Sequence, residues 1–127
     1  MKQGKFSLKK RLLSIKYAMS GVRILFWEEP NALIQLFVTV CVLVAGFIFR
    51  ISSGEWIAVI LCFGLVISLE SVNSAIENIA DFVSPGKHEM IKKVKDLAAG
   101  AVLIGAVISV IVGMIVFLPK VIKFFKL

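Results

Sequence analysis

Three long runs of apolar residues divide the chain. The run 32–49 has eighteen residues without a charge, and the run 97–118 has twenty-two. The run 56–69 has only fourteen, so its helix has to continue through Glu70 and Asn73 to reach the ~20 residues that span a bilayer. The pattern predicts an all-α membrane protein and excludes a soluble one. The three predicted spans cover about 31–49, 55–82 and 95–118.

A different periodicity precedes the first span. Between residues 5 and 29, apolar positions alternate at spacings of four and three, beside a line of cations spaced seven apart. This pattern predicts an amphipathic helix that lies on the membrane surface, with its cations toward anionic headgroups. Pro30 ends that helix and suits the first turn of the next one. The apolar positions are Leu8, Leu12, Ile15, Met19, Val22 and Phe26, and the cations are Lys9, Lys16 and Arg23.

Composition agrees with the membrane prediction, because 59% of the 127 residues are hydrophobic. The net charge of +7 could suggest nucleic acid, but its distribution indicates membrane topology and no nucleic-acid partner. Of the fifteen Lys and Arg, seven precede the first span and four lie between Lys87 and Lys95. Both segments are therefore expected in the cytoplasm. Three lysines after Leu118 would then lie outside, which weakly contradicts the same rule.

Four of the polar residues that follow the shortest apolar run recur at spacings of three and four. At about 100° per residue they fall on one narrow helical stripe. Carboxylates in hydrocarbon are costly, and acids at such positions normally face a protein interior or water. The stripe therefore predicts a metal site or a proton-transfer site. Its members are Glu70, Asn73, Glu77 and Asp81.

Two further sets of charges are expected at the same cytoplasmic boundary, namely Glu28 with Glu29, and Lys95 with Asp96. Carboxylates suit Mg²⁺, a lysine suits phosphate oxygens, and a further carboxylate could accept a proton from a hydroxyl. These are the parts of a phosphoryl-transfer site, although the motifs of soluble kinases are missing. The alternative is that Glu70 and Glu77 only pair with Lys92, Lys93 or Lys95 to hold the helices together.

The third span carries a small residue at every fourth position, which lets helix backbones approach closely. Because three short spans bury little by themselves, we expect a homo-oligomer in which this face is part of the packing. The small residues are Ala101, Gly105, Ser109 and Gly113.

The polar stripe also carries a resemblance to a known family. The sequence contains Glu70-x-Val72-Asn73-Ser74-Ala75-Ile76-Glu77-x-x-Ala80-Asp81, followed fourteen residues later by Lys95-Asp96. This motif resembles the signature of the small prokaryotic integral-membrane diacylglycerol kinases, a family that includes undecaprenol kinases. The resemblance extends over nearly the whole chain and includes Tyr17-x-x-x-Gly21-x-Arg23 and Glu29.

The resemblance implies one lipid kinase domain over 1–127, in a homotrimer with active sites shared between subunits. It implies transfer of the γ-phosphate of ATP to diacylglycerol or undecaprenol at the cytoplasmic face of a bacterial plasma (inner) membrane. Glu70 matches the catalytic base, and Asn73 matches a polar residue essential to the site. Glu29 and Glu77 match the acids that hold Mg²⁺ on ATP. Expected nucleotide contacts are Lys10, Tyr17, Glu29, Glu77, Gly86, Lys87, His88, Lys95 and Asp96, and expected lipid contacts are Glu70, Arg23 and Ala99.

Some positions depart from the family pattern. Lys10 stands where an arginine is expected to touch nucleotide, Leu33 replaces an arginine, and Gly113 stands where some diacylglycerol kinases have a tryptophan at the lipid site. These departures leave the acceptor lipid open, although residues 95–103 look closer to the undecaprenol kinases. The alternative function is a catalytically silent membrane scaffold or regulator that retains the fold.

Overall fold

Residues 6–126, which the computed structural model describes, form four α-helices. Helix α1 covers Leu8–Glu28, α2 covers Pro30–Ile48, α3 covers Ser53–Val83 and α4 covers Glu89–Phe125. The last three are long and apolar enough to cross a membrane. The prediction of an all-helical membrane protein is therefore confirmed.

The ends of the helices follow local signals in the sequence. Pro30 is the first residue of α2, and the Ser84-Pro85 bend follows the end of α3. Ser52 caps α3 through a reciprocal pair of hydrogen bonds with Glu55. Helix α4 begins six residues before the predicted span and ends seven residues after it. Hydropathy detects only the part of a helix that lies in hydrocarbon, so the polar ends of α3 and α4 lengthen the helices beyond their apolar runs.

Helices α3 and α4 form an antiparallel pair that provides most of the packing in the subunit. A side chain at Gly105 would place its Cβ 2.9 Å from Leu69 Cδ1, so glycine is what permits this close approach. The hydroxyl of Ser109 lies 3.5 Å from the Cys62 carbonyl oxygen of α3. Part of the small-residue face therefore packs inside the subunit, while a contribution of this face to an oligomer stays a prediction. Sequence spacing detects a close helix contact but cannot tell whether the partner helix belongs to the same chain.

The end of the bundle opposite the polar stripe is closed by an apolar cluster and an ion pair. Ile51, Val59 and Val116 are buried there. Beside them, Lys120 Nζ lies 2.6 Å from Glu55 Oε2, and both side chains are about three-quarters buried. The sequence analysis did not identify this pair, because 65 residues separate its members.

Helix α1 packs against the bundle only near its C-terminal end. Every residue from Leu8 to Ile24 is exposed, whereas Leu25 is buried. The apolar stripe of α1 from Leu8 to Val22 therefore has no packing partner within the described part of the subunit. This exposure is compatible with a helix that rests on a membrane, which stays a prediction.

Candidate active site

The polar stripe of α3 lies where the junction between α1 and α2 packs on that helix. Its burial falls steadily along the stripe: Glu70 is 2% exposed, Asn73 and Glu77 are partly buried, and Asp81 is exposed. Among the described residues, Glu70 is the one charged or polar residue that is buried. The stripe thus extends from the protein interior to the surface.

The surroundings of Glu70 are polar. Its carboxyl group lies beside the side chain of Asn31, in the first turn of α2, and its acidic neighbours are Glu29 and Glu77. The fold therefore brings Glu29, from the α1–α2 junction, near Glu70, which shares one stripe of α3 with Glu77. We call Glu29, Glu70 and Glu77 the carboxylate cluster.

Glu29 reaches this cluster because it is the single residue between α1 and α2. It is the C-cap of α1, where its N–H donates to the Leu25 carbonyl, and also the N-cap of α2. Its side chain turns toward α3, where Ser74 Oγ donates a hydrogen bond of 2.7 Å to Glu29 Oε1. Sequence reasoning predicted Glu29 but missed both Ser74 and Asn31 as neighbours of the acids.

A recess of about 550 Å³ lies where α3 ends and α4 begins. The loop residues Gly86, Lys87 and His88 line it, together with Lys95 and Asp96. Five of the expected nucleotide contacts therefore share one surface. Lys95 connects this recess to the stripe, because its ammonium group pairs with Asp81 and also lies near Glu77.

The ion pairs between α3 and the start of α4 test the alternative that Glu70 and Glu77 only pair with lysines to hold the helices together. Lys95 pairs with Asp81, and Lys92 pairs with Asp96 at 2.7 Å on the exposed face of α4. Within residues 6–126, neither Glu70 nor Glu77 forms an ion pair with these lysines. The structure therefore does not support a packing role through such pairs for the two acids.

Other predicted site residues lie apart from the cluster within one subunit. Lys10, Tyr17 and Arg23 are exposed on α1, and Ala99 is exposed on α4. From Lys10 to the buried Leu25 is fifteen residues, or roughly 22 Å along the helix axis. One subunit alone therefore does not bring Lys10 beside the carboxylate cluster.

His88 and the acids are the residue types that could ligate a metal ion at this end of the protein. His88 caps α4, since its Nδ1 accepts a hydrogen bond of 3.1 Å from the Met90 N–H. In the described part of the chain, no group of three His, Cys, Asp or Glu side chains is arranged to hold a metal ion. The side-chain oxygen of Asn73 is buried, and it has no hydrogen-bond partner among residues 6–126. Such an orphaned oxygen, beside the carboxylate cluster, is the type of donor that Mg²⁺ prefers.

This arrangement defines a helical membrane protein with a carboxylate site beside a recess lined by charged residues of both signs, and comparison with known proteins gives its family. A sequence model described as "Prokaryotic diacylglycerol kinase" matches residues 16–117. The chain is 41% identical to the undecaprenol kinase of Bacillus subtilis strain 168 over 98 residues, which cover 74% of this chain and 80% of that protein. The chain belongs to the prokaryotic diacylglycerol kinase family, and membership makes it a lipid kinase.

Two other relatives carry the second name found in this family. The diacylglycerol kinase of Synechocystis sp. strain PCC 6803 is 38% identical over 109 residues, which cover 85% of this chain and 62% of that protein. The diacylglycerol kinase of Helicobacter pylori strain J99 is 33% identical over 101 residues, covering 77% of each chain. The relatives thus include kinases named for two different lipid alcohols.

Proposed function

We propose that this protein transfers the γ-phosphate of ATP to the hydroxyl group of a membrane lipid alcohol, either diacylglycerol or undecaprenol. The observation that carries the proposal is the carboxylate cluster at the boundary of the apolar part of α3, next to the recess that holds Lys87 and Lys95. A lipid hydroxyl can approach this boundary from the membrane, while a nucleotide can approach it from water. The family and the printed names of its relatives support the same reaction.

Glu70 is the proposed base. The hydroxyl oxygen of the lipid attacks the γ-phosphorus, its proton passes to a Glu70 carboxylate oxygen, and the bond to the β–γ bridging oxygen breaks to release ADP. A carboxylate can perform this transfer when it lies within hydrogen-bond reach of the hydroxyl. Because Glu70 is 2% exposed, its carboxylate is shielded from bulk water. Asn73, one turn further on the same stripe, is proposed to orient the reacting groups.

The acids Glu29 and Glu77 are the proposed Mg²⁺ ligands. Mg²⁺ in kinases is commonly shared between one or two carboxylates and the substrate phosphates, and the orphaned Asn73 oxygen adds a further hard donor nearby. Two acids and an amide therefore fit this ion. When bound, Mg²⁺ would neutralise charge on the phosphates of ATP.

The recess between the end of α3 and the start of α4 is the proposed nucleotide site. Lys87 and Lys95 supply cations, and the Gly86 backbone lacks a side chain that would hinder close approach of phosphate. His88, Asp96, Lys10 and Tyr17 are proposed as further contacts. Because Lys10 and Tyr17 lie far along α1, we propose that they reach the nucleotide of another subunit in a homotrimer. The lipid is proposed to contact Arg23 and Ala99 in addition to Glu70.

The membrane setting of this site follows from charge. We propose that the carboxylate cluster and the N-terminus face the cytoplasm of a bacterial cell, with the single domain held in the plasma (inner) membrane. The four lysines between Lys87 and Lys95 support this orientation, since Lys and Arg accumulate on the cytoplasmic side. The Glu55–Lys120 pair would then lie at the outer face.

Between the two acceptors, we propose that undecaprenol is phosphorylated faster than diacylglycerol. The similarity of residues 95–103 to the undecaprenol kinases and the 41% identity to the Bacillus relative support this order. The test supplies the purified protein with ATP, Mg²⁺ and each alcohol in mixed micelles, and measures the phosphate incorporated into lipid. Faster transfer to diacylglycerol would reverse the order, and no transfer to any alcohol would contradict the kinase activity.

The role of Glu70 is tested by Glu70→Gln, which keeps the size of the side chain but removes the proton acceptor. We expect turnover to fall by at least about a hundredfold, within the range that general bases contribute, while ATP binding is largely kept. Full activity in this variant would end the assignment of Glu70 as the base. The silent-scaffold alternative is tested by thermal unfolding in detergent, since Mg²⁺-ATP must stabilise a protein that binds it.

A further inference from the structure

Glu29 is the N-cap residue of α2, but its side chain does not cap that helix. An N-cap side chain generally accepts a hydrogen bond from the first turn of its own helix. Ser7, Ser52 and His88 do so at the starts of α1, α3 and α4. Glu29, at the start of α2, makes no capping hydrogen bond with its side chain, although its carboxylate could accept one.

The Glu29 carboxylate is hydrogen-bonded to the hydroxyl of Ser74 on α3. Ser74 Oγ donates to Glu29 Oε1 over 2.7 Å, between residues 45 positions apart, and the contact is partly buried. A hydrogen bond to an ionised carboxylate is about twice as strong as one between neutral groups. This bond therefore holds the carboxylate against α3 and away from the N-terminus of α2.

Among the helical hydroxyl groups of residues 6–126, Ser74 is the one that donates to a side chain. A serine or threonine within a helix often donates to the carbonyl oxygen four residues earlier. Ser14, Thr39 and Ser109 form this bond, at distances of 2.8–3.0 Å. Ser74 instead donates to a side chain from another segment. Two side chains thus depart from their ordinary local partners in order to meet each other.

We propose that Ser74 is a positioning residue of the phosphoryl-transfer site. Its hydroxyl bonds Glu29 Oε1 and so holds this carboxylate beside α3, where Glu29 would be available to the metal ion that accompanies ATP. Ser74 stands between Asn73 and Glu77 on α3, so the same turn that carries two proposed site residues also orients the third. The inference rests on the proposed function, since it assigns Ser74 a task at that site.

The experiment compares Ser74→Ala with Ser74→Thr, which keeps the hydroxyl. The matched control is Ser71→Ala, an exposed serine one turn earlier on α3. Two quantities are measured: the Mg²⁺ concentration that gives half-maximal phosphate transfer, and the Mg²⁺ concentration that gives half of the thermal stabilisation by a non-hydrolysable ATP analogue. The second measurement does not depend on turnover.

We expect Ser74→Ala to raise both Mg²⁺ concentrations about tenfold, which corresponds to about 1.4 kcal/mol, while kcat at saturating Mg²⁺ falls less than about twofold. Ser74→Thr and Ser71→Ala should stay within about twofold of the unmodified protein. If Ser74→Ala does not fold, Ser74→Cys replaces it, and the weak thiol donor should give a rise of about threefold.

The inference is overturned if Ser74→Ala leaves both Mg²⁺ concentrations unchanged, or if Ser74→Thr or Ser71→Ala shifts them as much. Failure of the proposed function is a separate result. It would appear as no phosphate transfer by the unmodified protein, whereas failure of the Ser74 inference would appear in a protein that is active.

Discussion

At the scale of single residues, the polar stripe is sorted by burial. Glu70 is enclosed, Glu77 is partly buried and Asp81 is exposed and paired with Lys95. Seven residues separate Glu70 from Glu77, or about 10 Å along the helix axis. This separation places a proposed base near the membrane and a proposed metal ligand nearer to the aqueous recess.

Glu77→Gln tests the metal assignment. The amide keeps an oxygen donor but loses the charge that Mg²⁺ favours, so the Mg²⁺ concentration for half-maximal activity should rise about tenfold or more. Initial rates measured over a range of Mg²⁺ concentrations at saturating ATP check this expectation. Glu28→Gln is the control, because Glu28 is an exposed acid at the end of α1. An unchanged Mg²⁺ requirement in Glu77→Gln would argue against this ligand.

At the scale of helices, the turn between α2 and α3 carries a local strain. Arg50 adopts a left-handed conformation with φ of 52°, which costs a residue with a side chain about 1–2 kcal/mol. The turn is a Schellman motif, since the Ile51 N–H donates to the Gly46 carbonyl and the Arg50 N–H donates to the Phe47 carbonyl. Glycine is the residue most often found at the position of Arg50.

Arg50→Gly should therefore stabilise the protein by about 1 kcal/mol, measured by thermal unfolding in detergent micelles. Arg50→Ala is the matched control, because it removes the same charge but keeps a Cβ in the left-handed conformation. Equal stabilisation by both variants would attribute the effect to charge and contradict the role of the backbone.

Gly46, in the last turn of α2, leaves room for the ring of Trp56 from α3. A Cβ at this position would lie 2.6 Å from the Trp56 ring, so Gly46→Ala should displace the ring and destabilise the fold by about 1–3 kcal/mol. Gly64→Ala serves as the control, because a Cβ at Gly64 would meet no atom within 4 Å. The same unfolding measurement compares the two. A loss of stability shared by both variants would show that the Trp56 contact is unimportant.

At the scale of the whole molecule, one subunit presents an incomplete arrangement. The exposed part of α1 carries Lys10 and Tyr17, which lie away from the recess that holds Lys87 and Lys95. A second copy could bring its α1 to this recess, and this is the physical argument for the homotrimer that the family resemblance implies.

Crosslinking in lipid bilayers tests this assembly. We expect lysine-reactive crosslinkers to give a trimer as the largest abundant species, since the basic residues of α1 would lie near a neighbouring subunit. The control is protein dissociated in SDS before the crosslinker is added, which should give monomer. Only monomer in bilayers would contradict the assembly, without bearing on the fold of the subunit.

Much of the fold could be predicted from the sequence because the signals are local. Apolar runs identify helices that cross a membrane, Pro30 marks the boundary between α1 and α2, and Ser84-Pro85 marks the end of α3. The first and last residues of α4 could not be predicted from hydropathy, because its polar first and last turns remain helical outside the apolar run. The small-residue face was recognised as a close contact, but Gly105 meets α3 of its own subunit.

The sequence by itself determined the helices and the polar stripe, because helical periodicity and the cost of charge in hydrocarbon act over a few neighbouring residues. Only the tertiary structure decided which charges meet. Lys95 could have paired with several acids but pairs with Asp81, while Glu29 turns from its own helix to Ser74. These contacts join segments 14 and 45 residues apart, so they depend on how helices pack in space, which local spacing does not specify.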